Sequence, residues 1–167
     1  MVDLLVTTME TTAAPSGLPL RCPLAGLVVA REPLARAEYL SLYRAVGGPW
    51  RWDQRLRMAP AALDAYLATP TSDVTVLRLD GEAVGLCEID RAQSPDFELL
   101  NFGLVPAAQG RRLGPFLLDQ VLRAAFAHAP RRVWLHTDTW DHPNAQATYA
   151  RAGFRVVRQR IECVDDL

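Results

Sequence analysis

The segment Val105-Pro106-Ala107-Ala108-Gln109-Gly110-Arg111-Arg112-Leu113-Gly114 joins a run of strand-forming residues to the most regular helical pattern in the chain. At a helix start the first backbone N–H groups lack intrahelical partners and the dipole is positive, so the position favours an anion and can hold a pyrophosphate. Gly110 and Gly114 permit close backbone approach, while Arg111 and Arg112 add positive charge beside it. The same residues also read as an ordinary strand-to-helix turn with solvated arginines. Upstream, strand alternation sets Glu98 on one face with Leu100, Phe102 and Leu104, a carboxylate among apolar neighbours. Near Gly47 and Gly48, Trp50 and Trp52 offer aromatic faces, and Arg51, Arg55 and Arg57 have the forked geometry that grips a carboxylate or phosphate. Against this stands the reading in which one Trp plugs the space between helices and the arginines face water.

The elements that must position these residues follow from hydrophobic period and punctuation. Residues 24–30 read as a short strand, and Pro33 suits the first turn of a helix that runs to about residue 46, where Gly47-Gly48-Pro49 ends it. A second helix is expected over residues 60–67. Then Val74, Val76 and Leu77, the Asp80-Gly81 turn and residues 83–89 form a hairpin signature, with a further strand over 97–105. From 112 to 128, Leu113, Phe116, Leu117, Val121, Ala124 and Ala125 recur at the spacing of one helical face. Residues 132–138 read as a strand, 144–151 as a helix closed by Gly153, and 154–164 as one or two final strands. Hairpins that give way to alternating strands and helices predict a mixed α/β sheet with helices on its faces.

At 167 residues, half of them apolar, the chain can bury one substantial core. A loosely packed N-terminal extension over 1–22 and one domain over 23–167 are expected. No stretch reaches the roughly 18–20 apolar residues of a membrane span. The first 20 residues lack a basic n-region and do not read as a secretory signal, which points to the cytoplasm. A net charge of −1 argues against nucleic acid as a partner. All 18 basic residues are Arg, so Schiff-base lysines and a Walker-type lysine are absent. Cys22, Cys87 and Cys163 are widely spaced, form no zinc-like set with the histidines, and are expected to be reduced and buried.

Two segments together resemble the GNAT superfamily of acyl-CoA-dependent N-acyltransferases. The family's Gln/Arg-x-x-Gly-x-Gly/Ala signature is met by Gln109, Leu113 and Gly114, with Arg112 standing where the first Gly is usual. The family's Asn-x-x-Ala-x-x-x-Tyr-x-x-x-Gly-Phe segment is met by Ala145, Tyr149, Gly153 and Phe154, with His142 in the first position. The two lie in the family's order, and the resemblance covers residues 74–158. It implies a GNAT-type mixed, mostly antiparallel sheet of about six or seven strands flanked by about four helices. It also implies direct acetyl transfer from acetyl-CoA, as cosubstrate, to a primary amine, with no metal.

By the same resemblance, Tyr149 would reprotonate the departing thiolate and Glu98, 11 positions before Gln109, would take the proton from the amine. Glu88, Asp90, His136 and Asp138 compete for the latter role, Glu88 ranking next. The cofactor would lie along Phe102, Leu104 and Val105 through main-chain pairing. It would continue over Gln109, Gly110, Arg111, Arg112, Leu113 and Gly114, with His142 and Asn144 alongside. Trp50, Arg51 and Trp52 fall where the family builds its acceptor wall, which suggests an anionic or amino-acid-like acceptor. The acceptor itself, a small molecule or a peptide amine, is not legible, and a homodimer is common in the family. A non-catalytic acyl-CoA-binding or sensing module is the rival reading. Dinucleotide and P-loop domains are disfavoured, since Gly-x-Gly-x-x-Gly and Gly-x-x-x-x-Gly-Lys-Ser/Thr are missing.

Overall fold

Alternating apolar residues make strands here wherever a partner strand can cover them. The computed structural model describes residues 1–165. Strand β1 (Val2–Thr11) is followed by β2 (Leu27–Arg31), helix α1 (Arg36–Gly47), a 3-10 turn at Gly48–Trp50 and α2 (Pro60–Ala68). The strands β3 (Ser72–Leu79), β4 (Glu82–Asp90) and β5 (Asp96–Leu104) come next, then a 3-10 turn at Pro106–Ala108, α3 (Leu113–Phe126), β6 (Arg132–Asp138), α4 (Ala145–Arg151) and β7 (Arg155–Val164). One seven-stranded sheet has the order β2-β3-β4-β5-β6-β1-β7. Every neighbouring pair is antiparallel except β5–β6, which is parallel. The mixed, mostly antiparallel sheet with four helices is the architecture expected from the sequence.

Each face of the sheet carries its own core. On one side Leu113, Leu117, Leu118, Val121 and Leu122 of α3 pack on Cys87, Ile89, Phe97, Leu99, Val133 and Leu135. On the other, Tyr39, Leu42, Tyr43 and Val46 of α1 and Leu63 of α2 pack on Val74, Val76 and Leu86. At about 1.5–3 kcal/mol for each fully buried large side chain, these two layers fix β4 and β5 between the helices.

The N-terminus departs from expectation. Val2–Thr11 is not a loose extension but a strand threaded between β6 and β7. Leu4, Val6 and Met9 are buried in it, and its partners lie at the far end of the chain, Val6 opposite Asp138 and Leu4 opposite Glu162. The cysteines also differ: all three are free, but only Cys87 is buried, and Cys22 and Cys163 are exposed.

Candidate active site

The parallel strands β5 and β6 are joined by three rungs, Asp96–Arg132, Phe97–Val133 and Glu98–Trp134, and then separate. From Leu99 onward the β5 edge that faces β6 is free of strand pairing, so an extended ligand can add to it as a strand would. The wedge opens into a cleft of about 430 Å³ lined by β5, the α1–α2 connection, the N-terminus of α3, the end of β6 and α4.

A bulge decides which β5 side chains face which way. Asn101 pairs with Glu88 and Leu99 with Ile89, so Leu100 is an extra residue in β5. Phe97, Leu99, Phe102 and Leu104 therefore all turn to the α3 side, where they contact that core. Glu98, opposite Asp90, shares the α1–α2 side with Asn101 and Gly103. The expected grouping of Glu98 with Phe102 and Leu104 is thus corrected, because simple alternation fails across the bulge.

At the mouth of the cleft, Gln109, Gly110, Arg112, Leu113 and Gly114 line the wall. No side chain caps α3, so its first N–H groups remain directed outward. A Cβ built on Gly110 meets nothing within 4 Å, and one on Gly114 comes only to 3.7 Å from Phe102 and 3.8 Å from Leu104. Room and unspent donors coincide there, which fits a pyrophosphate. Arg112, the residue in the usual glycine position, has φ +62° and is the N-cap of α3. It therefore holds the left-handed conformation glycine favours, rather than ordinary helical backbone. The Val105 N–H is committed elsewhere, donating to the Val84 carbonyl at 2.9 Å, while its carbonyl accepts from the Ala108 N–H at 3.0 Å and keeps one lone pair. Arg111 is exposed and lies outside the lining.

Tyr149 reaches the cleft from α4, with its ring 5.8 Å from that of Phe102 and 5.7 Å from that of Phe154. It is buried, and burial, aided by the charge of Asp141, pushes its pKa above the usual phenol value. The hydroxyl consequently keeps its proton at neutral pH. His142 and Asn144 line the same wall, the Asn144 N–H donating to His142 Nδ1 at 3.0 Å.

Glu98 lies just past the end of the lining, one residue before Leu99. Burial raises its pKa, and the facing carboxylate of Asp90 adds to the rise. His136 and Asp138 line the cleft directly. Burial and then Arg160 lower the pKa of His136, while burial and the nearby Asp141 raise that of Asp138. Asp141 itself accepts from the Thr137 hydroxyl at 2.7 Å and from the Asp138 N–H at 3.1 Å.

Glu88 is fully enclosed. Its carboxylate accepts from Tyr39, from Tyr66 at 3.1 Å, from Asn101 Nδ2 at 3.0 Å and from Arg55 Nη2 at 3.3 Å. The Arg55 guanidinium also lies 3.9 Å above the Tyr66 ring. A carboxylate with so many donors is an anchor that ties α1, the α1–α2 connection, α2 and β5 to β4, and it is closed to a substrate proton. No local period marks this network, because its members are scattered from residue 39 to residue 101.

The α1–α2 connection divides by residue. Arg55 is buried on Glu88 and so is closed to the anionic acceptor expected of it, whereas Arg57 is exposed and pairs at the surface with Asp53. Trp50 meets His142 edge-on at 4.9 Å, and Arg51 lies over Trp140 at 4.7 Å, two contacts that bring the connection against the β6–α4 loop. Trp52 instead packs 5.5 Å from Tyr43 and so close to Gly47 that a Cβ there would fall 2.3 Å from its ring.

Residues 39–154 match the family model described as Acetyltransferase (GNAT) family. The mycothiol acetyltransferase of Nocardia farcinica is 31% identical over 131 residues, covering 65% of this chain and 42% of that protein. Among solved structures, a GCN5-related N-acetyltransferase from Sphaerobacter thermophilus aligns with TM-score 0.62 at 18% identity, over 95% of this chain and 50% of that one. A Bacillus subtilis acetyltransferase solved in complex with CoA aligns with TM-score 0.60 at 15% identity, over 77% of this chain and 76% of that one. The chain thus spans about half, or less, of the first two relatives. Among the described residues no helix is long and apolar enough to cross a membrane.

Proposed function

Since the chain belongs to the GNAT family of acetyltransferases, we propose that it is a cytoplasmic enzyme moving an acetyl group from acetyl-CoA directly to a primary amine. The observation that carries this reading is the wedge between β5 and β6, which runs from the last rung at Glu98 to the uncapped start of α3 with Tyr149 beside it.

In this reading the α3 N-terminus, with Gln109, Gly110, Arg112 and Gly114, holds the pyrophosphate, and the free β5 edge at Phe102 and Leu104 pairs with the pantetheine arm. When bound, acetyl-CoA supplies an activated thioester, so the protein needs only to position it and manage protons. Glu98 takes a proton from the arriving ammonium, directly or through water, and the amine becomes a nucleophile. Tyr149 gives its proton to the sulfur that leaves. Trp50 and Arg51 form the wall against which the acceptor lies.

A thiol-release assay with acetyl-CoA across a panel of amine classes tests the activity, and Gly114→Glu tests the site. Its Cβ has room, so the variant should fold, while the carboxylate beside the helix start repels the pyrophosphate. Acetyl-CoA affinity unchanged in the folded variant would overturn the cofactor assignment.

A further inference from the structure

Asn101 lines the cleft although it is only 8% exposed. Its Nδ2 donates to Glu88 Oε2 at 3.0 Å, and because a carboxylate only accepts, the amide has one orientation, with Oδ1 turned away from Glu88. Tyr39, Tyr66 and Arg55 hold Glu88 in turn, so the amide rests on a fixed partner. Among the described residues no group donates to Oδ1, and the enclosed side-chain atoms left without a partner are Arg55 Nε and Ser72 Oγ. Oδ1 is therefore open to the cleft that Asn101 lines.

The same-face neighbour of Asn101 toward the apex of the wedge is Glu98. Their partners on β4, Glu88 and Asp90, are two positions apart, which spaces the two rungs by about 7 Å. The bulge at Leu100 brings this about, since three positions of regular strand would send Asn101 to the opposite face. Two acceptor oxygens rooted at that spacing can bracket one nitrogen, each about 2.9 Å from it.

We propose that Asn101 selects and orients the attacking nitrogen, its Oδ1 accepting an N–H of a primary amine from binding to product. This rests on the acetyl-transfer reading of the cleft. A primary ammonium brings three N–H protons. Glu98 takes the first and passes it to solvent, the second is lost as the amide forms and replaces the one Tyr149 gives to the sulfur, and the third stays on Oδ1. A hydroxyl has a single proton, which Glu98 removes, and a secondary amine surrenders its last N–H as the amide forms. Either one leaves the buried Oδ1 without a donor.

One test reads the contact without turnover. Asn101 and Asn144 are the only asparagines in the chain, so selective ¹⁵N-asparagine labelling gives two side-chain amides, and Asn144→Gln assigns them. Benzylamine at neutral pH should shift the Asn101 amide saturably, while benzyltrimethylammonium, equally charged but without an N–H, should not. The absence of a benzylamine shift, or equal shifts with both probes, overturns the proposal. A second test uses Asn101→Leu, which leaves Glu88 its other three partners. The kcat/KM preference for a primary amine over its N-methyl analogue should fall roughly ten-fold or more, with acetyl-CoA affinity retained. An unchanged preference overturns the role of Asn101 and leaves acetyl transfer standing. A selective benzylamine shift in a protein that acetylates no amine would do the reverse, keeping the amine contact and overturning acetyl transfer.

Discussion

Glu98 stands opposite Trp134 on the last rung between β5 and β6, at the point where the strands part. It thus sits at the apex of the wedge, on the side of the sheet covered by α1 and α2, with Asp90 across from it. As a base it must be ionised to work, and its pKa is raised by burial and by Asp90. Activity should therefore fall as pH drops through that raised value, placing the acid limb of kcat/KM above the ordinary glutamate value of about 4.3. Glu98→Gln should remove this limb and lower turnover roughly 10- to 10,000-fold with acetyl-CoA binding retained. A near-normal rate in that variant, with loss in Asp138→Asn or His136→Gln instead, would move the role to the residues that line the cleft directly.

Tyr149→Phe keeps the ring contacts with Phe102 and Phe154 and removes only the proton. Turnover should drop roughly 10- to 10,000-fold while acetyl-CoA affinity and melting temperature hold. Because burial pushes the phenol above its usual pKa near 10, ionisation of Tyr149 should contribute no alkaline limb below about pH 10. An alkaline limb below pH 10 in the wild type that disappears in Tyr149→Phe would keep Tyr149 as the acid but overturn its raised pKa.

How far the sequence can be read is visible in these residues. The helix over Leu113–Phe126 and the strand over Arg132–Asp138 were legible because their apolar residues recur with a local period. β1 was not, since strand preference depends on what covers the strand, and its partners at Asp138 and Glu162 lie beyond any local window. The glycine-rich loop and Tyr149 could be located from short motifs, yet the face on which Glu98 lies depends on a bulge at Leu100 that alternation alone conceals. Glu88 looked like a reserve base and is an enclosed anchor, for the same reason: its four partners come from four different elements.

The left-handed backbone at Arg112 leads to a prediction about the loop. A non-glycine residue in this conformation costs about 1–2 kcal/mol, against roughly 0.5–1 kcal/mol for the extra freedom a glycine brings to the unfolded chain. Arg112→Gly should thus be neutral to stabilising, raising the melting temperature by up to about 4 °C for a domain of this size. Thermal unfolding checks it, and a clear loss of stability would mean that the guanidinium earns its place through contacts in the folded chain.

Arg55 and Glu88 pair with side chains 7% and 0% exposed. Arg55→Met leaves a buried carboxylate without its cation and should cost about 3–5 kcal/mol in denaturant unfolding. Arg55→Met/Glu88→Leu should cost less than the sum of the two single changes yet remain well below the wild type, because it removes both charges but leaves the Tyr39, Tyr66 and Asn101 donors without their acceptor. If the double variant is as unstable as the sum of the two singles, the pair is not the source of the effect.

Trp50 and Trp52 sit two positions apart in sequence and should separate functionally. Trp52 lies flat against Gly47 and near Tyr43, and its ring reaches to 3.8 Å from where a Cβ on Gly103 would stand, so it fills the space between α1 and β5. Trp52→Ala should lower stability by about 3 kcal/mol, roughly 6–12 °C in melting temperature. Trp50 instead meets His142 at the mouth of the cleft, where the α1–α2 connection comes against the β6–α4 loop. Trp50→Ala should lower the melting temperature less than Trp52→Ala and raise the acceptor KM several-fold, with acetyl-CoA affinity little changed, since a half-buried ring whose packing partner is His142 at the cleft mouth shapes the acceptor wall more than the core. Steady-state kinetics with the best amine from the panel, run beside thermal unfolding of both variants, measures the split. If Trp50→Ala alters only stability, Trp50 is a packing residue like Trp52 and the acceptor lies elsewhere in the cleft.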